Sequence, residues 1–137
     1  LEYLTKAAEL GDANAHYQLS ILYERGEGVE KDEKKGLYHL EEAAIAGHPE
    51  ARFQLACYEG KNSRFDRMVK HFIISANLGH DESIQGLKLC YKEGKVSKED
   101  FASALRAHQA AVNETKSPQR EEASKAWQRR KPREQKK

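Results

Sequence analysis

The sequence predicts an all-α protein, an α-solenoid of stacked helix-turn-helix repeats that ends in a capping helix and a basic tail. The first observation is an internal repeat, because residues 11–19 return as residues 47–55 with the same spacing of glycine, alanine and leucine. The second is helical spacing of apolar residues within each copy, and the third is glycine between the predicted helices. A repeat of this length is typical of one supersecondary unit stacked on copies of itself.

The repeats divide the 137 residues into five segments. We expect residues 1–12 to be the C-terminal end of a truncated repeat, so that the chain is a fragment of a longer array. Residues 13–48 form the first full repeat, residues 49–80 a second repeat with a shortened turn, and residues 81–116 a third repeat with an extended capping helix. Residues 117–137 are expected to form a polar helix and a basic, disordered tail.

The first helix of the first full repeat is predicted from Ala15, Leu19 and Leu22, which occupy positions i, i+4 and i+7 of an amphipathic helix. We expect it to end near Tyr23, because the glycines that follow supply the backbone freedom that a tight turn requires. These glycines are Gly26 and Gly28.

The second helix is expected to run from about Asp32, a residue type favoured at the N-cap, to Ala46, with Gly47 after its end. Gly36 and Ala43 lie on one face of this helix. Small residues there allow the two helices of the repeat to approach each other closely. The same two-helix pattern continues, more weakly, in the next two repeats.

The last repeat ends differently from the others. Ser97 followed by Asp100 is typical of a helix N-terminus, and the helix it starts carries apolar residues well past the usual repeat length, which is typical of a cap. We expect a new helix to start at Ser117 and Pro118, because proline is tolerated in the first turn. This short polar helix would carry Trp127.

The charge of the chain is unevenly distributed. The formal net charge is +2, but residues 125–137 contribute +6 and leave −4 for the rest. One interpretation of this tail is a solvated, disordered terminus, and the other is a nuclear-import signal or polyanion contact. The basic cluster consists of Arg129, Arg130, Lys131 and Arg133. Beyond weak electrostatic contact by this tail, nucleic-acid binding is not expected, because the repeats are mildly acidic and Trp127 is the only tail aromatic able to stack on a base.

A candidate partner-binding groove follows from helix geometry. If Ala15 and Leu19 point into the stack, the residues on the opposite side of the first helix, with their counterparts in later repeats, are more apolar than a solvated face requires. Such a face suits a groove for a peptide or helix, and the alternative interpretation is packing between repeats. The candidates are Tyr17, Ile21, Glu24, Phe53, Cys57 and Leu89.

Motifs for chemistry are not found in the sequence. Four of the six histidines occupy two repeat columns, which the architecture explains first, and no cysteine or carboxylate stands at metal-ligand spacing beside them. The Gly26-Glu27-Gly28 segment lacks the lysine of a phosphate-binding loop, so we interpret it as a turn. We therefore expect no enzyme, catalytic residue, cofactor or metal. Two cysteines are too few for a disulfide framework and favour a cytoplasmic or nuclear location.

The repeats resemble the Sel-one-like repeat family, a relative of the tetratricopeptide repeats, from Leu1 to about Ala111. The resemblance implies a right-handed α-solenoid that holds partner proteins as an adaptor, lined by the first helix of each repeat and with no chemistry of its own. Departures from the family pattern are Gly36, His39 and His71. The residues that carry the resemblance are Ala15, Leu19, Tyr23, Gly26, Gly28, Val29, Asp32, Lys35, Ala43, Ala44, Gly47 and His48.

The function expected from the sequence is a non-enzymatic scaffold or adaptor that binds other proteins or peptides through the solenoid groove. The alternative is an interaction or targeting module of a larger enzyme, for example a ubiquitin ligase or a kinase, whose catalytic domain lies outside this sequence. The sequence alone gives neither the partner nor the oligomeric state.

Overall fold

The computed structural model describes residues 1–130, except for the side chains at positions 116–120 and 130. Every regular element of this part is an α-helix. The seven helices are α1 (Glu2–Glu9), α2 (Ala13–Arg25), α3 (Glu33–Ile45), α4 (Pro49–Lys61), α5 (Phe65–Asn77), α6 (Asp81–Lys92) and α7 (Lys98–Arg130). The predicted all-α class is therefore confirmed.

The helices pack in the order in which they occur along the chain. The most extensive contacts join α2 to α3 and α4 to α5, and smaller ones join α1 to α2, α3 to α4 and α5 to α6. The last helix, α7, packs against both α5 and α6. Since each unit contacts mainly its neighbours, this is the arrangement of a helical repeat stack.

The helix boundaries of the first full repeat agree closely with the sequence expectation. The helix α2 ends at Arg25, two residues beyond Tyr23, and Gly26 follows in the left-handed conformation with φ of 71°. The Asp32 side chain accepts a hydrogen bond from the Lys35 N–H and caps α3. The segment from Gly26 to Gly28 is a turn, as predicted.

One column of the repeat holds the N-caps of α2, α4 and α6. Asp12 Oδ1 accepts a hydrogen bond from the Ala15 N–H at 2.9 Å, and His48 Nδ1 accepts one from the Ala51 N–H at 3.1 Å. In the next repeat His80 Nδ1 accepts from the Ser83 N–H at 3.2 Å. The capping role explains why a histidine recurs after Gly47 and Gly79.

The core consists of three clusters of unequal size. Near the N-terminus, Ala8, Ala15 and Leu19 form one cluster, and a second joins α3 to α4. That second cluster consists of Ala43, Ala44, Ala51 and Leu55. The third and largest extends from α4 to α7 and consists of Ala56, Val69, Phe72, Ala76, Ile84, Leu87, Cys90, Val96 and Ala104.

The C-terminal helix differs from the sequence expectation. We predicted a new helix start at Ser117, but α7 is one helix from Lys98 to Arg130 and passes through this position. The prediction was wrong because Pro118 was given more weight than the flanking alanine, glutamate, glutamine, lysine and arginine residues, which favour helix on both sides. Among residues 1–130, no helix is long and apolar enough to cross a membrane.

Candidate partner-binding cleft

A cleft of about 570 Å³ lies between α2, α3 and α4, and we refer to it below as the cleft. The α2 and α4 helices are the first helices of two successive repeats, and α3 lies between them in the chain. The cleft is lined by Tyr17, Ser20, Ile21, Glu24, Arg25, Glu33, Gly36, Leu37, Leu40, Gln54, Cys57, Tyr58 and Lys61.

Four of the six groove residues predicted from the sequence line the cleft: Tyr17, Ile21 and Glu24 from α2, and Cys57 from α4. The structure thus brings together the predicted residues of the first two repeats. Whether they bind a partner stays a prediction.

The other two predicted groove residues lie elsewhere. The Phe53 ring packs into the large core cluster, with its centroid 5.8 Å from that of Phe72 and 5.0 Å from that of His80. Leu89 lies on α6, is 62% exposed and does not line the cleft. The repeat columns do not form one continuous groove, because the residue at a given column packs inward in one repeat and faces solvent in another.

Gly36 allows the close approach of α3 to α2 beside the cleft. A Cβ at this position would lie 3.2 Å from the Ser20 carbonyl oxygen and 3.4 Å from the Glu24 backbone nitrogen. Both atoms belong to the α2 backbone, so a side chain here would force the two helices apart. The close approach of α3 to α2 therefore requires glycine at this position.

Tyr17 connects the two sides of the cleft. Its hydroxyl accepts a hydrogen bond from Gln54 Nε2 at 2.7 Å, and its ring stacks on His48 with centroids 4.4 Å apart. Burial, and then the negative charge of Glu50, raise the pKa of Tyr17 above its ordinary value. The phenol is therefore neutral at physiological pH, and its own O–H remains available as a donor to a bound molecule.

Charged side chains of both signs lie along the cleft, from Glu24 and Arg25 at the end of α2 to Glu33 and Lys61. Arg25 pairs with Glu27 at 3.8 Å, and Lys31 pairs with Glu33 at 3.8 Å. Within the described residues, Glu24 and Lys61 have no salt-bridge partner. One carboxylate and one ammonium group are thus available to a molecule in the cleft.

The two cysteines are free thiols in different environments. Cys57 is half-buried at the cleft, and Cys90 is buried in the large core cluster. Burial is the main cause that raises the pKa of each thiol above its ordinary value. A thiol with a raised pKa is largely protonated at neutral pH, and the thiolate is the reactive form.

Three possible metal ligands, Glu50, His80 and Glu82, have ligand atoms within 4.8 Å of one another. His80 Nδ1 accepts the Ser83 N–H, so the neutral imidazole carries its proton on Nε2 and donates it to Glu50 Oε2 at 2.6 Å. The positive N-terminal ends of α4 and α6 also lie here and oppose a cation. This arrangement is a hydrogen-bonded link between α4 and α6.

Three further histidines form polar pairs within the repeats. His16 and His39 contact each other through their Nδ1 atoms at 2.9 Å. In the equivalent columns, Arg52 Nη1 lies 3.3 Å from His71 Nδ1, and Arg52 Nη2 donates to the Ala44 carbonyl at 3.1 Å. Burial is the largest cause that lowers the pKa of His39 and of His71.

The basic cluster of the tail is only partly described. Arg129 is exposed near the end of α7. The side chain of Arg130, and all of Lys131 and Arg133, lie outside the described residues. The import or polyanion contact predicted for this cluster stays a prediction.

Only part of the cleft was predicted from the sequence. Of its α4 residues Cys57 was predicted, whereas Gln54, Tyr58 and Lys61 were not. The second helix of the repeat was expected to pack on the first, and Leu37 and Leu40 of α3 also line the cleft. The two-helix repeat pattern did indicate that α3 packs beside α2, because the first helix of a repeat must pack on the second. It did not indicate which α3 residues lie between the first helices of two successive repeats.

Comparison with known proteins identifies similar helical repeats. The Sel1 repeat model matches residues 1–12 and 13–48, and a comparison with curated proteins found no match. A Sel1 repeat protein from Oxalobacter formigenes is 22% identical with a TM-score of 0.66, over 82% of this chain and 96% of that one. The stacked-repeat solenoid predicted from the sequence is therefore confirmed.

A second similar structure is a protective antigen that is present in uropathogenic Escherichia coli strains and displays an SLR fold. It is 28% identical with a TM-score of 0.65, over 82% of this chain and 25% of that one. The present chain thus spans about a quarter of the length of the Escherichia coli protein.

Proposed function

We propose that this chain, a Sel1-like repeat protein, is a scaffold that holds a segment of a partner protein in the cleft between α2, α3 and α4. Sel1 repeat proteins generally serve as scaffolds for protein interactions, and their fold is typically non-catalytic. The observation that carries the proposal is that the first helices of two successive repeats, with α3 between them, line one cleft.

The composition of the cleft suits an extended or helical peptide with an apolar anchor residue. Ile21, Leu37, Leu40 and the ring of Tyr17 supply apolar surface. Burial of apolar surface is the main source of affinity at such sites, and a groove between helices is a common way of receiving a peptide. The proposed partner therefore inserts at least one large apolar side chain.

Polar groups of the cleft would fix the register of the bound segment. The Tyr17 O–H is available as a donor, while Glu24 and Lys61 lie at the ends of α2 and α4 without a salt-bridge partner among the described residues. Pairing across a partly desolvated interface contributes more to specificity than to affinity. The segment would thus carry a basic and an acidic residue on either side of its apolar anchor.

The experiment is selection of binding peptides from a random displayed library on the full chain, followed by titration of the selected peptides. Ile21→Arg places a charge in the cleft and is expected to weaken binding about tenfold or more, as loss of a central interface contact does. The matched control is Leu89→Arg, in the same repeat column but outside the cleft, which is expected to leave binding unchanged. Peptides that bind Ile21→Arg as tightly as the unmodified chain would refute the cleft as the binding site.

A further inference from the structure

The N-cap column contains three side chains that respond differently to acid. Asp12 caps α2 with a carboxylate, whereas His48 and His80 cap α4 and α6 with an imidazole nitrogen. A carboxylate at an N-cap stays ionised well below neutral pH, but an imidazole can act as acceptor only while that nitrogen is unprotonated. Protonation of the capping nitrogen therefore removes an imidazole cap, whereas a carboxyl group always keeps an acceptor oxygen.

His48 lies at the boundary between the first two repeats and contacts Tyr17, which lines the cleft. Its Nδ1 accepts the Ala51 N–H, and its ring stacks on Tyr17, which also binds Gln54. The titratable groups that face it are Tyr17 from α2, Glu50 from α4 and His80 at the start of α6.

Protonation of His48 would turn its hydrogen-bond acceptor into a donor. The imidazolium presents N–H groups on both ring nitrogens, so Nδ1 would face the Ala51 N–H as a second donor at the positive end of α4. The ring stack on Tyr17 tolerates the charge, because a cation is attracted to the face of a phenol ring. The cap does not tolerate it, so the first turn of α4 loses a backbone partner.

The direction of this effect follows from the environment of the ring. Burial, followed in size by the opposing attraction of Glu50, leaves the pKa of His48 below its ordinary value. A group with a lowered pKa contributes stability that is complete above the ordinary histidine pKa, about 6.5, and is lost as the pH falls through the lowered value. The cap of α4 is therefore intact at neutral pH and is lost in mild acid.

His80 has the same capping geometry with different neighbours. Its Nε2 donates to Glu50 at 2.6 Å, and its Nδ1 also lies 2.9 Å from the Ser83 hydroxyl. The cap of α6 is thus part of a hydrogen-bonded link to Glu50, whereas that of α4 is part of a ring stack on Tyr17.

We infer that His48 is an acid-sensitive latch, a residue whose protonation opens the cleft. A proton on its imidazole releases the first turn of α4 and so loosens the contact between α2 and α4. If the proposed function holds, this contact shapes the cleft that binds the partner segment. In mild acid the cleft then loses its pre-organised shape and releases its partner. The latch is a property of the chain itself and can be measured without a partner.

The test is amide hydrogen exchange of the full chain followed by NMR between about pH 7.5 and 5, with each rate divided by its intrinsic value at that pH. The Ala51 amide is expected to lose protection about fivefold on acidification, the factor that loss of an ordinary N-cap implies. The Ala15 amide, capped by the Asp12 carboxylate, serves as the internal reference and is expected to change much less. Equal behaviour of the Ala51 and Ala15 amides overturns the inference.

Two variants assign the effect to the ring. His48→Asp copies the cap of the preceding repeat and is expected to make the protection of Ala51 independent of pH in this range, while His80→Asp is expected to leave the Ala51 response as in the unmodified chain. A fivefold response that persists in His48→Asp overturns the inference. Because these readouts use no partner, a failure of the latch and a failure of the cleft to bind peptides are separate results.

Discussion

The two ends of the described chain share one repeat pattern but differ in the residues that form their cores. From α1 to the start of α4, the buried apolar residues are mostly alanines, and a buried His16 pairs with His39 between the helices. From the end of α4 to α7, one larger cluster contains Phe72, Ile84 and Leu87. The column that holds His16 in the first repeat holds Ile84, 4% exposed, in the third.

The two regions therefore differ in the interactions that stabilise them. Apolar burial contributes about 25 cal/mol per Å² whatever the pH, so the C-terminal cluster is an anchor that depends little on conditions. Small side chains and histidine pairs bury less apolar surface than large apolar side chains do, and the hydrogen bonds of the histidine pairs depend on protonation. We therefore expect local opening to require less free energy at the cleft than at the C-terminal cluster.

The largest expected effect is at the C-terminal anchor. Phe72 is 7% exposed, and its ring packs on Phe53 and over Gly86. Phe72→Ala is expected to reduce the free energy of unfolding by about 3–5 kcal/mol, because it removes a large ring and leaves a cavity. Urea unfolding followed by far-ultraviolet circular dichroism measures the loss.

The matched substitution in the N-terminal region is Leu19→Ala. Leu19 is 1% exposed, but the buried partners in its cluster are alanines, so we expect a smaller loss of about 2–3 kcal/mol. If Leu19→Ala destabilised the chain as much as Phe72→Ala, the two regions would not differ in the way proposed here.

Much of the fold was predictable because local rules agree with one another. Helical spacing of Ala15 and Leu19, the cap at Asp32 and the turn at Gly26 each act within a few residues, so the sequence contains them directly. The continuation of α7 through Ser117 was not predicted, because one proline was weighed against many weak helix preferences that act together.

The candidate site was less predictable for a physical reason. Repeat columns predict which residues are equivalent, but not how far each repeat rotates against the next. Tyr17 and Cys57 meet at the cleft while Phe53, in the column of Tyr17, is packed against Phe72. The capping role of His48 was also missed, since histidine is an uncommon N-cap and the column suggested only a structural repeat.

An intermediate effect is expected where α3 crosses α2. Gly36→Ala would place a Cβ 3.2 Å from the Ser20 carbonyl oxygen, and the cost of separating two backbones exceeds the helix-propensity gain of about 1 kcal/mol. We expect a net loss of about 1 kcal/mol in the free energy of unfolding. Gly60→Ala is the control, because its Cβ would meet only the flexible Met68 side chain at 2.8 Å. If Gly36→Ala were as well tolerated as Gly60→Ala, the close approach would not be a structural requirement.

The smallest expected effect concerns the hydrogen bond between the two walls of the cleft. Tyr17→Phe removes the acceptor of the Gln54 amide but keeps the ring that stacks on His48. Water can reach Gln54 through the cleft, so the free energy of unfolding is expected to fall by only about 0.5–1 kcal/mol. Tyr17→Ala, which also removes the stack, is expected to cost clearly more. NMR of the Gln54 side-chain amide reports the broken bond directly: an unchanged amide resonance in Tyr17→Phe would mean that α2 and α4 are joined by ring packing alone.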